Sequence, residues 1–222
     1  MDTKPKPIVI FDLDDTLYNE LDYLKSAFLE IAQYINKDSD NDVASIFEEM
    51  MRLYHSKSNV FVEILNRYDT KATKEELLHL YRNHSPNIKL SDERKLVLDF
   101  LKNKGVKMGL LTDGRSRQQR SKIKALGLDE YFTEIVISEE FGSEKPNENN
   151  FLYFEKAFGI GQYFYIGDNV SKDFLSPNRL GWTSVCIIDN GDNIHKQDFS
   201  LERAYLPTFT LKDFRDIIKV LD

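Results

Sequence analysis

The second half of the chain alternates short apolar segments with amphipathic helical segments, and this alternation restricts the fold more than any other feature. From Ser91 onward, helices are predicted around ERKLVLDFLKNKG, SRQQRSKIKALG and NNFLYFEKAFG, and apolar strands at VKMGLLT, EIVIS, YFYIGD and TSVCIID. Short apolar strands between helices are typical of βαβ units, in which helices cover both faces of a parallel sheet. The expected fold class is therefore α/β, with a parallel sheet between two layers of helices.

The first strand, PIVIF, is predicted to join this sheet, although a helical region separates it from the other strands. Apolar residues then recur at spacings of three and four, which places them on one helix face: Leu21, Leu24, Phe28, Ile31 and Ile35. Further helical patterns follow at VASIFEEMMRLYH, VFVEILNRY and KEELLHLYRN. The predicted organisation is an α/β core of residues 1–17 and 89–222, interrupted by an all-helical insertion of residues 18–88.

Polar residues stand directly after four of the predicted strands. In parallel α/β sheets, ligands bind at the carboxyl ends of the strands, near the point where the strand order reverses. The residues in these places are Asp12, Asp14, Asp15 and Thr16 after the first strand, Thr112 after the next, Lys145 in the following loop, and Asp168 and Asp173 after YFYIG.

The crowding of carboxylates after the first strand calls for a cation, because like charges in one site repel each other. Mg²⁺ takes oxygen ligands and is commonly held by one or two carboxylates together with a substrate phosphate. Asp12 and Asp168 can meet over such an ion, and Lys145 can balance the remaining negative charge. Groups near Thr112 and Gly114 can hold phosphoryl oxygens.

The same carboxylates suit phosphoryl transfer. A carboxylate nucleophile can attack phosphorus to give an aspartyl phosphate, which divides one difficult displacement into two easier ones. A second carboxylic acid, two residues further on, can protonate the leaving alkoxide and then activate water.

Four sites, in their order along the chain, resemble the four motifs of the haloacid dehalogenase-like superfamily of phosphotransferases. They are DLDDT, Thr112, Lys145 and GDNVSKD. The helical insertion resembles the cap of the helical-cap (C1) branch, and the resemblance implies a Rossmann-like three-layer core. It also implies that Asp12 is the nucleophile and a Mg²⁺ ligand. Asp14 would be the general acid and base, and would ligate Mg²⁺ through its backbone carbonyl.

The resemblance assigns the remaining motif residues to phosphate and metal. The implied phosphate-binding residues are Thr112, Asp113, Gly114 and Lys145. Lys145 would also hold the nucleophile. Asp168 would ligate the metal, Asp173 would support the metal site directly or through water, and Thr16 would help to position the first motif.

Asp14 also separates branches of the superfamily, because the dehalogenases lack an aspartate at that position. The expected activity is therefore Mg²⁺-dependent hydrolysis of a small soluble phosphomonoester. The stretch TDGRSRQQRSKIKALG is similar to sugar- and acylneuraminate-phosphate phosphatases and favours a sugar phosphate or related metabolite. Two alternatives stay open: a phosphomutase acting on a sugar phosphate, and a non-enzymatic phospho-aspartate signalling or binding module.

Two further residues are candidate substrate contacts: Tyr18, at the start of the helical insertion, and Arg115, which follows closely after Thr112. The basic run that begins at Arg115 is otherwise interpreted as a solvated helix face, and it comprises Arg115, Arg117, Arg120, Lys122 and Lys124.

Charge and hydropathy exclude several classes of partner. The formal net charge of -7 argues against a nucleic-acid partner, because such binding depends on Lys and Arg meeting phosphates. No apolar run approaches the roughly 20 residues that span a bilayer, so no membrane partner is expected. The single cysteine, Cys186, is expected to be a buried thiol, and the expected location is the reducing cytoplasm. The sequence leaves the oligomeric state open.

Overall fold

The structure, a computed structural model, describes residues 5–38 and 42–221. Its centre is a six-stranded sheet in which all paired strands are parallel. The strands are β1 Pro7–Phe11, β2 Lys107–Thr112, β3 Glu134–Ile137, β4 Gln162–Gly167, β5 Thr183–Ile187 and β6 Phe209–Leu211. The predicted α/β class with a parallel, Rossmann-like sheet is confirmed.

In the described residues, α-helices separate β2, β3, β4 and β5, whereas five α-helices lie between β1 and β2 and none between β5 and β6. The helices are α1 Glu20–Ile35, α2 Val43–His55, α3 Val60–Arg67, α4 Lys74–Asn83, α5 Asp92–Asn103, α6 Ser116–Ala125, α7 Ser138–Phe141, α8 Glu148–Phe158, α9 Leu175–Arg179 and α10 Ile217–Leu221. None of them is long and apolar enough to cross a bilayer.

The strand order β3-β2-β1-β4-β5-β6 puts the N-terminal strand in the middle of the sheet. In register, Ile10 lies opposite Gly109 of β2 on one side and Tyr165 of β4 on the other. Residues 8–11 are buried, as expected for a central parallel strand covered on both faces. The strand order therefore reverses between β1 and β4, where a ligand site is expected.

The chain divides into two compact units. One unit runs to Glu20 and resumes at Lys89, and the other spans Leu21–Ile88. The second unit has its own apolar core, in which Phe28, Ile31 and Ile46 are buried. Its predicted role as a cap stays a prediction.

Helices in both units begin with side-chain caps, as α4 and α5 show. In α4, Thr73 and Glu76 form a reciprocal capping box, which satisfies N–H groups that the first helical turn leaves unpaired. Ser91 accepts from the Arg94 N–H at the start of α5, as its place before two acidic residues predicts.

An apolar cluster of the sheet unit joins the strands to α8, which contributes the buried rings of Phe151 and Phe154. Cys186, in β5, is buried and makes no disulfide, as expected from the sequence.

Candidate active site

The two strands at the reversal point each end in an aspartate. Asp12 follows β1, and its N–H donates to the carbonyl oxygen of Ile166 in β4 at 2.8 Å. Asp168 follows Gly167, the last residue of β4. Both side chains are buried, so the pairing of β1 with β4 brings two distant carboxylates to one edge of the sheet.

A third buried carboxylate completes this cluster. One side-chain oxygen from each of Asp12, Asp168 and Asp173 lies within 4.8 Å of the other two. The Asp173 carboxylate accepts from Lys145 Nζ at 2.7 Å, from the Tyr165 hydroxyl at 3.3 Å, and from the N–H groups of residues 168 and 169. These donors fill the roughly four acceptor positions of a carboxylate. Asp12 and Asp168 are therefore better placed than Asp173 to ligate a metal directly.

Lys145 is the cation of the cluster. It is 6% exposed, and its Nζ lies 2.8 Å from Asp12 Oδ1 as well as 2.7 Å from Asp173 Oδ1. Burial alone would lower the pKa of Lys145, but Asp12 and Asp173 raise it well above its ordinary value. One buried lysine thus faces three buried carboxylates.

Burial and the excess of negative charge raise the pKa values of two of these carboxyl groups. Burial raises the pKa of Asp12 to about 8, despite the opposing effect of Lys145. Burial, with further contributions from Asp173 and Asp12, raises the pKa of Asp168 to about 9. A divalent cation would favour the charged forms of both acids, so the oxygen donors and charge of this site fit a hard metal ion.

Asp14 lies outside this cluster and in a different environment. Its Oδ1 accepts from Lys122 Nζ at 2.7 Å and from the Tyr18 hydroxyl at 2.5 Å. Its Oδ2 accepts from Gln119 Nε2 at 2.8 Å. Burial would raise the pKa of Asp14, but the Lys122 ammonium and these hydrogen bonds hold it below its ordinary value. The pKa values of two neighbouring carboxyl groups, Asp12 and Asp14, are therefore shifted in opposite directions.

A cavity of about 320 Å³ lies over these groups. It is lined by Asp12, Asp14, Asp15, Glu20, Thr112, Asp113, Gly114, Glu144, Lys145, Asp168, Asn169, Lys172 and His195. The structure thus brings every residue predicted for nucleophile, acid and base, or phosphate binding to one cavity. Asp173 lies beneath its surface, with no exposed side-chain area.

The two candidate substrate contacts are placed differently. Tyr18 is 3% exposed and is not among the cavity-lining residues, because its hydroxyl is directed at Asp14. Arg115 is exposed at the N-terminus of α6 and is also absent from the lining. Contact of either residue with substrate stays a prediction.

The interpretation of the basic run as a solvated helix face is wrong for Lys122. Its side chain is 1% exposed, and its Nζ lies 2.7 Å from Asp14 Oδ1 and 3.6 Å from Glu20 Oε1. The reason is that two carboxylates from the segment after β1 draw the ammonium inward. Burial opposes the charged form, but Asp14 and Glu20 raise the pKa of Lys122 above its ordinary value.

The segment after β5 also reaches the site, and sequence reasoning assigned it no role. Asn193 Nδ2 donates to Asp168 Oδ2 at 2.9 Å, and the Ile194 N–H donates to Asp15 Oδ2 at 2.9 Å. Gln197 Nε2 donates to the Asp168 carbonyl oxygen at 2.9 Å. This segment therefore holds the loops that follow β1 and β4. Only the polar composition of DNGDNIHKQD hinted at such contacts.

The comparison with known families agrees with this geometry. The profile of the haloacid dehalogenase-like hydrolase family matches residues 9–187, which include the four predicted motif segments. The chain belongs to this family.

Individual relatives extend over nearly the whole chain. A glyceraldehyde 3-phosphate phosphatase of Methanocaldococcus jannaschii is 28% identical, covering 96% of this chain and 97% of that protein. An N-acylneuraminate-9-phosphatase of Mus musculus is 26% identical and covers 84% of each. The magnesium-bound HAD-hydrolase YfnB of Bacillus subtilis superposes with a TM-score of 0.70 at 18% identity, covering 99% of this chain and 100% of that one. At that identity the likeness concerns the fold alone.

Proposed function

We propose that this protein is a Mg²⁺-dependent phosphatase that hydrolyses a small phosphomonoester through an aspartyl-phosphate intermediate on Asp12. The enzyme class, a phosphoric monoester hydrolase, is supported by the family and by the phosphatase names of the relatives. The observation that carries the proposal is the placement of Asp12 beside Lys145 and Asp168 at the floor of the cavity.

The metal would be held by Asp12 and Asp168, with the predicted contribution of the Asp14 backbone carbonyl. When bound, it would offset the negative charge of the carboxylates and of the substrate phosphate. Asp173 keeps Lys145 and the loop after β4 in place through the hydrogen bonds described above.

In the first step, an Asp12 carboxylate oxygen attacks phosphorus and the bond from phosphorus to the ester oxygen breaks. The departing alkoxide takes a proton from the protonated form of Asp14, which the second step restores for the next turnover. Lys145 keeps Asp12 aligned, and Thr112 and the backbone near Gly114 bind phosphoryl oxygens.

In the second step, water attacks the phosphorus of the aspartyl phosphate while Asp14 takes its proton. The bond to Asp12 breaks, and inorganic phosphate leaves. The donors around Asp14 favour its ionised form, which is the form that accepts this proton. The relatives act, by name, on glyceraldehyde 3-phosphate and N-acylneuraminate 9-phosphate, which supports a sugar phosphate or related metabolite as substrate. The cytoplasmic location stays a prediction.

The test is phosphate release from a panel of sugar phosphates, nucleotides and 4-nitrophenyl phosphate, with Mg²⁺ or with EDTA. We expect turnover only with Mg²⁺, and its loss by about four orders of magnitude or more in Asp12→Asn, because the nucleophile is removed. Asp129→Asn, an exposed aspartate of the same unit, is the matched control. Turnover that persists in EDTA and in Asp12→Asn would overturn the proposal.

A further inference from the structure

Gln119 is a buried polar residue of α6 that belongs to none of the four predicted motifs. Its side chain is 1% exposed. Its Nε2 donates to Asp14 Oδ2 at 2.8 Å and to Thr112 Oγ1 at 2.6 Å. A single amide group therefore joins the proposed acid and base to the proposed phosphate-binding hydroxyl.

The chemistry of the contacts fixes the orientation of this amide. An amide NH₂ has two N–H groups, and here one is directed at each partner. The reverse orientation would place the amide oxygen against the Asp14 carboxylate, where two acceptors would repel each other. The amide nitrogen thus has to face Asp14.

The bond from Gln119 also determines what Thr112 can do. Because the Thr112 oxygen accepts from the amide, its own hydrogen is left for another acceptor. The Asp113 carbonyl oxygen is 3.5 Å away, which is at the outer limit of a hydrogen bond. The hydroxyl can therefore donate to a phosphoryl oxygen in the cavity that Thr112 lines.

The Gln119 side chain packs closely against Gly114. A Cβ at Gly114 would lie 3.1 Å from Gln119 Cδ, and Gly114 has a φ of +138°, which disfavours any other residue. One helical turn further on, Lys122 binds the other oxygen of the Asp14 carboxylate at 2.7 Å. Both oxygens of Asp14 are thus held from the same helix.

We infer that Gln119 is a positioning residue, which orients the Asp14 carboxylate and directs the Thr112 hydroxyl toward the substrate phosphate. The inference rests on the proposed function, since Asp14 and Thr112 have these roles only in a phosphatase. Gln119 is not among the residues that line the cavity, so it acts through Asp14 and Thr112.

The experiment compares Gln119→Met with the native enzyme on two substrates. Methionine has a similar length but no donor, and Gln118→Met makes the same change at a half-buried neighbouring position. The substrates are 4-nitrophenyl phosphate, whose leaving group needs little protonation, and the sugar phosphate that the native enzyme turns over fastest. The ratio kcat/KM is measured because it reports on catalysis up to departure of the leaving group.

We expect Gln119→Met to lose activity on both substrates, since Thr112 loses its fixed orientation. The loss should be about tenfold greater for the sugar phosphate, because its alkoxide depends on a correctly placed Asp14. Asp14→Asn should show the same preference, and Gln118→Met should behave as the native enzyme does. Urea unfolding of each variant separates lost stability from lost positioning.

Three results would overturn the inference. Native kinetics in Gln119→Met would show that the amide is dispensable. An equal loss on both substrates, in proportion to lost stability, would reduce Gln119 to a structural residue. If the native enzyme releases phosphate from no member of the panel, the proposed function fails and the inference fails with it.

Discussion

The ammonium group of Lys122 forms ion pairs with the carboxylates of Asp14 and Glu20. Its side chain is almost fully buried, whereas those of Asp14 and Glu20 are each 21% exposed. Removing one partner of a buried ion pair lowers the stability, because the other charge stays desolvated and no longer has an opposite charge beside it.

We therefore predict that Lys122→Met destabilises the protein by about 3 kcal/mol, somewhat less than for a fully buried pair because water reaches the two acids. Urea unfolding measures this change. Lys124→Met, on the exposed side of the same helix, should stay within about 0.5 kcal/mol of the native protein. A difference of less than about 1 kcal/mol between the two variants would contradict the prediction.

At the level of single residues, the sequence indicated the motif residues but not those that hold them. Asp12 and Asp168 follow β1 and β4, Thr112 is the last residue of β2, and Lys145 lies in the loop after α7. The parallel sheet brings the carboxyl ends of its strands to one edge. Lys122, in contrast, meets an aspartate 108 positions earlier in the chain, and such a contact leaves no local pattern.

A weak signal for the α6 contacts was nevertheless present. Gln119 and Lys122 share a helix face with Ile123 and Leu126, both of which are buried. A polar residue on an apolar stripe is a candidate for a buried contact. The surrounding arginines and lysines obscured this stripe.

Among the elements, β2 and α8 make an unusually close contact at a glycine. A Cβ at Gly109 would lie 2.5 Å from Phe154 Cε1 and 2.9 Å from Ile10 Cδ1. Both neighbours are fully buried and cannot move aside into solvent.

We predict that Gly109→Ala costs about 1–3 kcal/mol of stability, because overpacking forces side chains off their rotamers or displaces the helix. Chemical denaturation measures the cost. The double variant with Phe154→Leu should be less destabilised than the sum of its single variants, since the smaller side chain relieves the contact. Additive effects would show that the clash is not between these two residues.

The sequence predicted most elements of the structure because their periodicities are strong. β1 to β5, α1 to α6 and α8 lie where apolar runs and helical patterns indicated. α7 was predicted as part of a loop, because its four residues are too few to show a helical period. β6 was not predicted, because it has only three residues, FTL, of which none is buried. An exposed edge strand of that length carries no recognisable alternation.

For the whole molecule, the raised pKa values of Asp12 and Asp168 link stability to pH. The ordinary pKa of an aspartate is near 3.8, and burial raises the pKa to about 8 for Asp12 and to about 9 for Asp168. At pH values between the ordinary and the raised pKa, these two acids bind more protons in the folded protein than in the unfolded chain. Stability therefore falls as the pH rises.

We predict that, in EDTA, the free energy of unfolding decreases from about pH 6 to about pH 8. Glu20, whose pKa burial raises to about 7, acts in the same direction. Asp168→Asn should reduce the slope and Asp129→Asn should preserve it. An unchanged slope in Asp168→Asn would show that the carboxyl group of Asp168 does not contribute to the pH dependence of stability.

Mg²⁺ should oppose this loss of stability. At the lower pH, Mg²⁺ at about 100 times its dissociation constant should add about 2.7 kcal/mol. The same Mg²⁺ concentration should add more at the higher pH, because fewer protons compete for the carboxylates and the dissociation constant is lower. Thermal unfolding at the two pH values, with Mg²⁺ or EDTA, measures the effect. Equal unfolding temperatures with Mg²⁺ and with EDTA would argue against a metal at this cluster.

The central position of β1 has a consequence for biosynthesis. The strand that bears Asp12 leaves the ribosome before its partner β4, which is not complete until residue 167. At about 5–20 residues per second, that interval lasts roughly ten to thirty seconds. Throughout this interval the edge of PIVIF that pairs with β4 stays unpaired, and the region Leu21–Ile88 is synthesised before the partner strand is made. The strand that carries the proposed nucleophile therefore stays available for pairing with other chains for longer than a strand whose partner follows it directly in the sequence.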